Sequence, residues 1–120
     1  MKYYLLIYWK TGETPQPTPE QQRAVFQAWQ DYEAELKAAG VYLSNDGLRP
    51  VTDATTVRVR NGKTLITDGP FAETHEQFGG YYLLNCKDLD DALAWATKLA
   101  GIVSVAEYAS IEVRPTWNQA

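Results

Sequence analysis

Residues Tyr3, Tyr4, Leu5, Leu6, Ile7, Tyr8 and Trp9 form an unbroken apolar and aromatic run near the start of the chain. In an extended strand alternate side chains point to opposite faces. Tyr3, Leu5, Ile7 and Trp9 therefore point one way, and Tyr4, Leu6 and Tyr8 the other. Both faces need cover, so this strand, over residues 2–9, belongs in the middle of a sheet. The run is far shorter than the ~20 apolar residues that span a bilayer. It also lacks the longer apolar region and small-residue cleavage site of a secretory signal. No membrane association is expected, and a cytoplasmic protein is. The single cysteine, Cys86, excludes an intrachain disulfide, which fits a reducing compartment.

The remainder of the chain supplies two helices and further strands. Gly12, Pro15 and Pro17 mark a loop. Thr18 can cap a helix, with Pro19 in its first turn and Gln21 where a capping box wants Glu or Gln. Val25, Trp29, Tyr32, Leu36 and Ala39 then recur at helical spacing, and Gly40 is a stop. A second strand begins at 41–43 and breaks at Asn45, Asp46 and Gly47. Residues 55–60 and 63–67 flank Asn61-Gly62, the strongest short hairpin signal. Val57 and Val59 are expected inward, Arg58 and Arg60 outward. Residues 81–86 form the next strand. Asp88 caps a second helix, with Leu89, Ala92, Leu93, Ala96, Leu99 and Ala100 as its buried stripe and Gly101 as its end. The last strand covers 108–114. No linker interrupts the 120 residues, so one domain over 1–120 is expected. The order predicts an α+β, ferredoxin-like domain with an antiparallel sheet and an inserted hairpin. Both helices would cover one sheet face. The other face would expose the apolar side chains of the first strand, which predicts a face-to-face homodimer.

Six blocks, in order, resemble the YCII-related family in its DGPF-motif branch. They are Met1 to Tyr8, Ala39-Gly40-Val41, Leu65-Ile66-Thr67-Asp68-Gly69-Pro70-Phe71, Gly79-Gly80-Tyr81-Tyr82, Leu89-Asp90-Asp91-Ala92-Leu93 and Ile111-Glu112-Val113-Arg114-Pro115. The resemblance implies a dimeric α+β barrel of ferredoxin-like units, in agreement with the periodicity. It also implies a small-molecule enzyme, because the wider superfamily hosts isomerases, lyases and cofactor-free monooxygenases; that is fold analogy. A regulatory link is implied as well, since members of this branch are often encoded beside extracytoplasmic-function sigma factors. YCII members proper carry a His–Asp pair. Asp68 matches the aspartate of the motif, but no histidine lies near the first helix. Where the branch usually reads Thr-Lys-Glu, this chain has Thr74-His75-Glu76, a titrating group in place of a permanent cation.

The candidate site residues each admit two readings. Asp68 is either a base or hydroxyl anchor at a pocket rim, or a turn-forming aspartate. His75, the only histidine, is either a general acid–base with Asp68, Glu73 or Glu76, or an exposed loop residue. Glu73 belongs to the motif block and is a second-tier catalytic candidate. Glu76 reads as solvated, capping a short helical turn around 72–78. Phe71, Tyr81, Tyr82 and Trp9 either line a pocket for a flat ligand or fill core and interface. Cys86 reads as a buried free thiol. One histidine makes a poor transition-metal site, so no metal is expected. No phosphate-binding glycine loop or dinucleotide fingerprint appears, so no cofactor is expected. The net charge is −4, and Arg58, Arg60 and Lys63 are the nearest approach to a basic stripe, so nucleic acid is not an expected partner. The leading expectation is a cofactor-independent isomerase, lyase or hydrolase moving protons by carboxylate and imidazole in a cleft of the dimer. The alternative is a non-catalytic metabolite-binding or regulatory module linked to a sigma factor.

Overall fold

The computed structural model describes residues 1–10, 17–72, 75–103 and 109–119. The elements follow in the order β1 (Lys2–Lys10), α1 (Pro19–Ala38), β2 (Tyr42–Gly47), a 3-10 turn (Val51–Asp53), β3 (Thr55–Arg60), β4 (Lys63–Asp68), β5 (Glu76–Asn85), α2 (Leu89–Val103) and β6 (Ala109–Pro115). Four strands make one sheet in the order β2-β5-β1-β6, and β3 and β4 form a separate two-stranded sheet. The doubly apolar β1 lies between β5 and β6, antiparallel to both. β5 in turn pairs antiparallel with β2. This is the ferredoxin-like α+β arrangement with a hairpin inserted between its second and third strands.

Local sequence chemistry sets the helix ends. The Thr18 hydroxyl accepts from the Gln21 N–H at 3.1 Å, and the Gln21 side chain accepts from the Thr18 N–H at 2.9 Å. That reciprocal capping box satisfies two amides the helix leaves unpaired. At the other end Gly40 takes φ +73°, a conformation that favours glycine. The Gly40 N–H then donates to the Lys37 carbonyl and the Val41 N–H to the Leu36 carbonyl, both at 3.1 Å, completing a Schellman motif. The Asp88 carboxylate accepts from the Asp91 N–H at 2.9 Å at the start of α2. Asn61 and Gly62 both have positive φ, as a two-residue hairpin turn of the I′ kind requires.

The core forms between one sheet face and the two helices. Tyr3, Leu5 and Ile7 of β1 and Tyr82 and Leu84 of β5 are buried with Tyr32 and Leu36 of α1 and Ala92, Ala96, Leu99 and Val103 of α2. The Tyr32 hydroxyl donates to the Trp95 carbonyl at 2.8 Å, tying α1 to α2 through a buried group. Burial, then the neighbouring Tyr82, raises the Tyr32 phenol far above its usual range. The opposite sheet face carries Tyr4, Leu6 and Tyr8 beside Leu83, Tyr81 and Phe78, with no helix of the described residues over it. Tyr4 meets Tyr81 edge-on, and Tyr8 lies tilted against Phe78, each at 5.7 Å.

Several expectations are corrected. β2 runs through Asn45, Asp46 and Gly47, because these residues pair with Tyr82, Tyr81 and Gly80 after a register shift between Tyr42 and Ser44. β5 starts at Glu76 rather than Tyr81, so residues 76–78 are extended, not part of a helical turn. Leu89 and Leu93 are exposed; the buried stripe of α2 is Ala92, Ala96, Leu99 and Val103. Gly101 lies within α2, which continues to Val103. Val57 and Val59 are 61% and 62% exposed, because their hairpin stands apart from the main sheet. Tyr108 lies outside the described residues.

Candidate functional site

A cavity of about 580 Å³ opens between α1 and the end of the sheet where β1 finishes. Ile7 and Trp9 of β1 and Gly79, Gly80 and Tyr82 of β5 form its floor. Phe26, Trp29, Gln30 and Glu33 of α1 hang over it, and Asn45, Asp46, Gly47 and Leu48 close the side. Among the described residues no Ser, Thr, Cys, His, Lys or Arg lines it.

Two glycines and a bulge shape this floor. Along β1 the partners run Ile7↔Gly80 and then Tyr8↔Phe78, which leaves Gly79 as an extra residue in β5. A bulge of this kind bends the strand and re-aims the side chains beyond it. The Trp9 indole lies against the Gly79 backbone so closely that a Cβ there would sit 2.3 Å from the ring. A Cβ on Gly80 would come within 2.9 Å of the Asp46 carbonyl oxygen. Trp29 and Tyr82 stack at 5.9 Å with their planes 7° apart.

The polar groups converge from α1 and β2. Glu33 pairs with Lys37 at 3.4 Å, both partly exposed, a contact that contributes little to stability. The Tyr42 hydroxyl donates to the Asn45 side-chain oxygen at 2.6 Å. Asp46 turns one carboxylate oxygen to the Gly47 N–H at 2.9 Å. Burial, and then the Glu33 carboxylate, raises the Tyr82 phenol far above its usual range, so it stays protonated. Burial followed by Glu33 also raises Tyr42.

The sequence candidates divide between several places. Trp9 and Tyr82 line the cavity. Tyr81 lies on the uncovered sheet face against Tyr4. Asp68 is exposed at the end of β4, opposite Thr55. The turn that follows is held by other groups. The Gly69 N–H donates to the Ala54 carbonyl at 2.7 Å, the Thr56 hydroxyl donates to the Gly69 carbonyl at 2.8 Å, and the Arg58 guanidinium donates to the Phe71 carbonyl. Gly69 has φ +96°, so the turn depends on glycine at that point. Phe71 is 71% exposed. His75 is exposed and directly precedes Glu76, the partner of Lys10 at the cavity end of the sheet. Glu73 lies outside the described residues. Cys86 is buried and away from the cavity; burial, then the nearby Asp91 carboxylate, pushes its thiol up to about 11. Among the described residues no group of three or more His, Cys, Asp or Glu comes together to hold a metal, and no helix is long and apolar enough to cross a membrane.

The model of the YCII-related domain matches residues 1–117. The chain belongs to the YCII-related family. An uncharacterised protein of Rhizobium meliloti (strain 1021) is 36% identical over 115 residues, covering 96% of this chain and 91% of that one. The part of this YCII-related domain that sequence reading missed is the α1 wall of the cavity. Phe26, Trp29, Gln30 and Glu33 recur at spacings of three, one and three, which puts them on one helical flank beside the buried stripe. An aromatic and polar flank next to a core stripe was the available signal. The Asp46 contribution was hidden because Asn-Asp-Gly reads as a turn.

Proposed function

We propose that this protein binds a small organic molecule in the cavity under α1 and acts on it by proton transfer, as a cofactor-independent isomerase, lyase or hydrolase. The cavity carries the reading: about 580 Å³, walled by aromatic rings, with a few polar groups converging on it. Those are the dimensions and lining of a small-molecule site. Glu33 and Asp46 are the carboxylates at the ligand. Asp68, Glu73 and His75 are the proposed proton carriers of the segment that joins the hairpin to β5, in keeping with the resemblance to the DGPF branch. That segment ends at His75, beside the strand end that carries the cavity floor. Phe71, on the same segment, is proposed as a further contact to the ligand.

The uncovered face of Tyr4, Leu6, Tyr8, Phe78, Tyr81 and Leu83 supports the proposal of a homodimer, since apolar patches of this kind mark interfaces. Sedimentation should give a dimer, and Leu83→Glu a monomer; a monomeric parent at all concentrations rejects it. For catalysis, a metabolite screen followed by pH–rate profiles is the test. Asp68→Asn and His75→Gln should each remove one limb; an unchanged profile in both removes their assigned roles. A second reading, a metabolite-sensing module linked to a sigma factor, is favoured by one observation. Among the described residues the cavity lining holds no imidazole, thiol or aliphatic hydroxyl. Ligand binding without turnover, with a sigma factor co-purifying, would select it.

A further inference from the structure

We infer that the ligand of this cavity is an organic cation, an amine or quaternary ammonium carried on an apolar body. The inference rests on the reading of the cavity as a small-molecule site and adds the class of molecule that it takes.

Two features converge. First, the walls are aromatic: Trp9, Phe26, Trp29 and Tyr82 all line the space. The face of an aromatic ring is the negative end of its quadrupole, and an ammonium held over such faces is attracted, most strongly by Trp. This corner of the molecule already shows such a contact, with the Lys37 ammonium 5.0 Å from the centre of the Tyr42 ring. Second, the ionisable lining is of one sign. Glu33 and Asp46 are acidic, and among the described residues nothing basic lines the space. Lys37 meets Glu33 at 3.4 Å from its own turn of α1, and Arg23 lines a separate hollow beyond Phe26. Asp46 gives one oxygen to the Gly47 N–H and has no ion-pair partner among the described residues.

The alternatives fit worse. An anion would face two carboxylates with no counter-charge in the lining. A neutral apolar ligand would satisfy the rings but would strip water from Glu33 and Asp46 without replacing it, which costs free energy. A cation with an apolar body satisfies both sets at once. The cavity is also too large for a bare inorganic ion and falls in the range of organic ligands.

The test uses a charge-only comparison. Benzyl(2-hydroxyethyl)dimethylammonium has a neutral carbon twin of the same shape, 3,3-dimethyl-4-phenylbutan-1-ol. The anion 4-phenylbutanoate completes the set. Binding is read from the indole N–H signals of Trp9 and Trp29 in proton–nitrogen NMR spectra of the full chain, assigned by single Trp→Phe variants. The cation should bind about tenfold more tightly than its neutral twin, with the anion weakest. In the Glu33→Gln/Asp46→Asn variant the cation's preference over the twin should fall about threefold or more, to the part that the rings supply, as the cation loses its counter-charges and the twin no longer dehydrates two carboxylates. If the double variant fails to fold, Glu33→Gln alone should remove a measurable part of the preference. Equal affinity of cation and twin in the parent, or a preference undiminished in the amide variants, overturns the inference and leaves a ligand cavity of another class. If none of the three molecules moves the Trp9 or Trp29 signals, the ligand-site reading itself fails and the inference with it.

Discussion

The adjacent glycines of β5 offer a test of how the cavity is built, because the same substitution should fail in two different ways. In Gly80→Ala the new methyl meets backbone: the Asp46 carbonyl oxygen at 2.9 Å and the Gly47 Cα at 3.3 Å. The first is about 0.5 Å inside ordinary van der Waals contact. Neither atom can rotate away, so β2 must move off β5 and strain their ladder. Overpacking of this kind costs about 1–3 kcal/mol. Alanine recovers about 0.4–1 kcal/mol by restricting the unfolded chain. The net loss should be about 1–2 kcal/mol. In Gly79→Ala the overlap is worse, at 2.3 and 2.4 Å, but the atoms met belong to the Trp9 indole. Trp9 is 40% exposed, so its ring can swing toward solvent. The stability loss should stay within about 1 kcal/mol, while the cavity loses its Trp9 wall. Urea unfolding followed by far-UV dichroism measures the first quantity, provided the slope with denaturant is unchanged. The Trp9 indole N–H signal and the affinity for the neutral probe measure the second. The reasoning is refuted if Gly79→Ala costs as much stability as Gly80→Ala, or if Gly79→Ala leaves the Trp9 signal in place.

Other expected outcomes follow from single contacts. Thr18→Ala removes one arm of the capping box and should cost about 1 kcal/mol in urea unfolding, with Thr18→Ser restoring most of it. Cys86, its thiol raised to about 11 mainly by burial, should resist a thiol reagent at pH 8 until the chain is unfolded. The unfolded thiol ionises near 9 and the folded one near 11, so the folded state holds its proton longer. Stability from this group is therefore complete below about pH 9 and falls as pH rises toward 11, by up to about 3 kcal/mol. Cys86→Ala should lessen that alkaline loss, and an identical loss in the variant would assign it to other groups. Gly69→Ala, at φ +96°, should destabilise the hairpin base by about 1–2 kcal/mol, read as faster amide exchange at the Gly69 turn.

Local rules carried most of the fold. The capping box at Thr18, the glycine after α1, the Asn61-Gly62 turn and the doubly apolar β1 all depend on a few neighbouring residues. Their readings agree with the structure. Failures occurred where pairing between distant residues overrides local preference. Asn45, Asp46 and Gly47 form strand because β5 supplies the partners. Leu89 and Leu93 are exposed because α2 turns Ala92, Ala96, Leu99 and Val103 to the core, a stripe that leaves both leucines on the outer side. The two valines of β3 alternate as a buried face would, yet their hairpin leaves the sheet and nothing among the described residues covers them.

The cavity shows why a site of this kind is harder to read than the fold around it. Its floor depends on one surplus residue in β5, which shifts the pairing between Ile7 and Tyr8 and sets Trp9 over a backbone that has no side chain. Its side depends on a second shift, between Tyr42 and Ser44, after which Asp46 and Gly47 run beside Tyr81 and Gly80. Neither shift leaves a periodic trace, because each is a departure from period two. The glycines do leave one. Two adjacent glycines inside a ten-residue strand weaken it by lost entropy and lost packing, unless something needs the space that their missing side chains leave. Here one space is taken by an indole and the other by a neighbouring strand. Removing the space at Gly79 and at Gly80 separately therefore distinguishes the wall of the site from the frame that holds it.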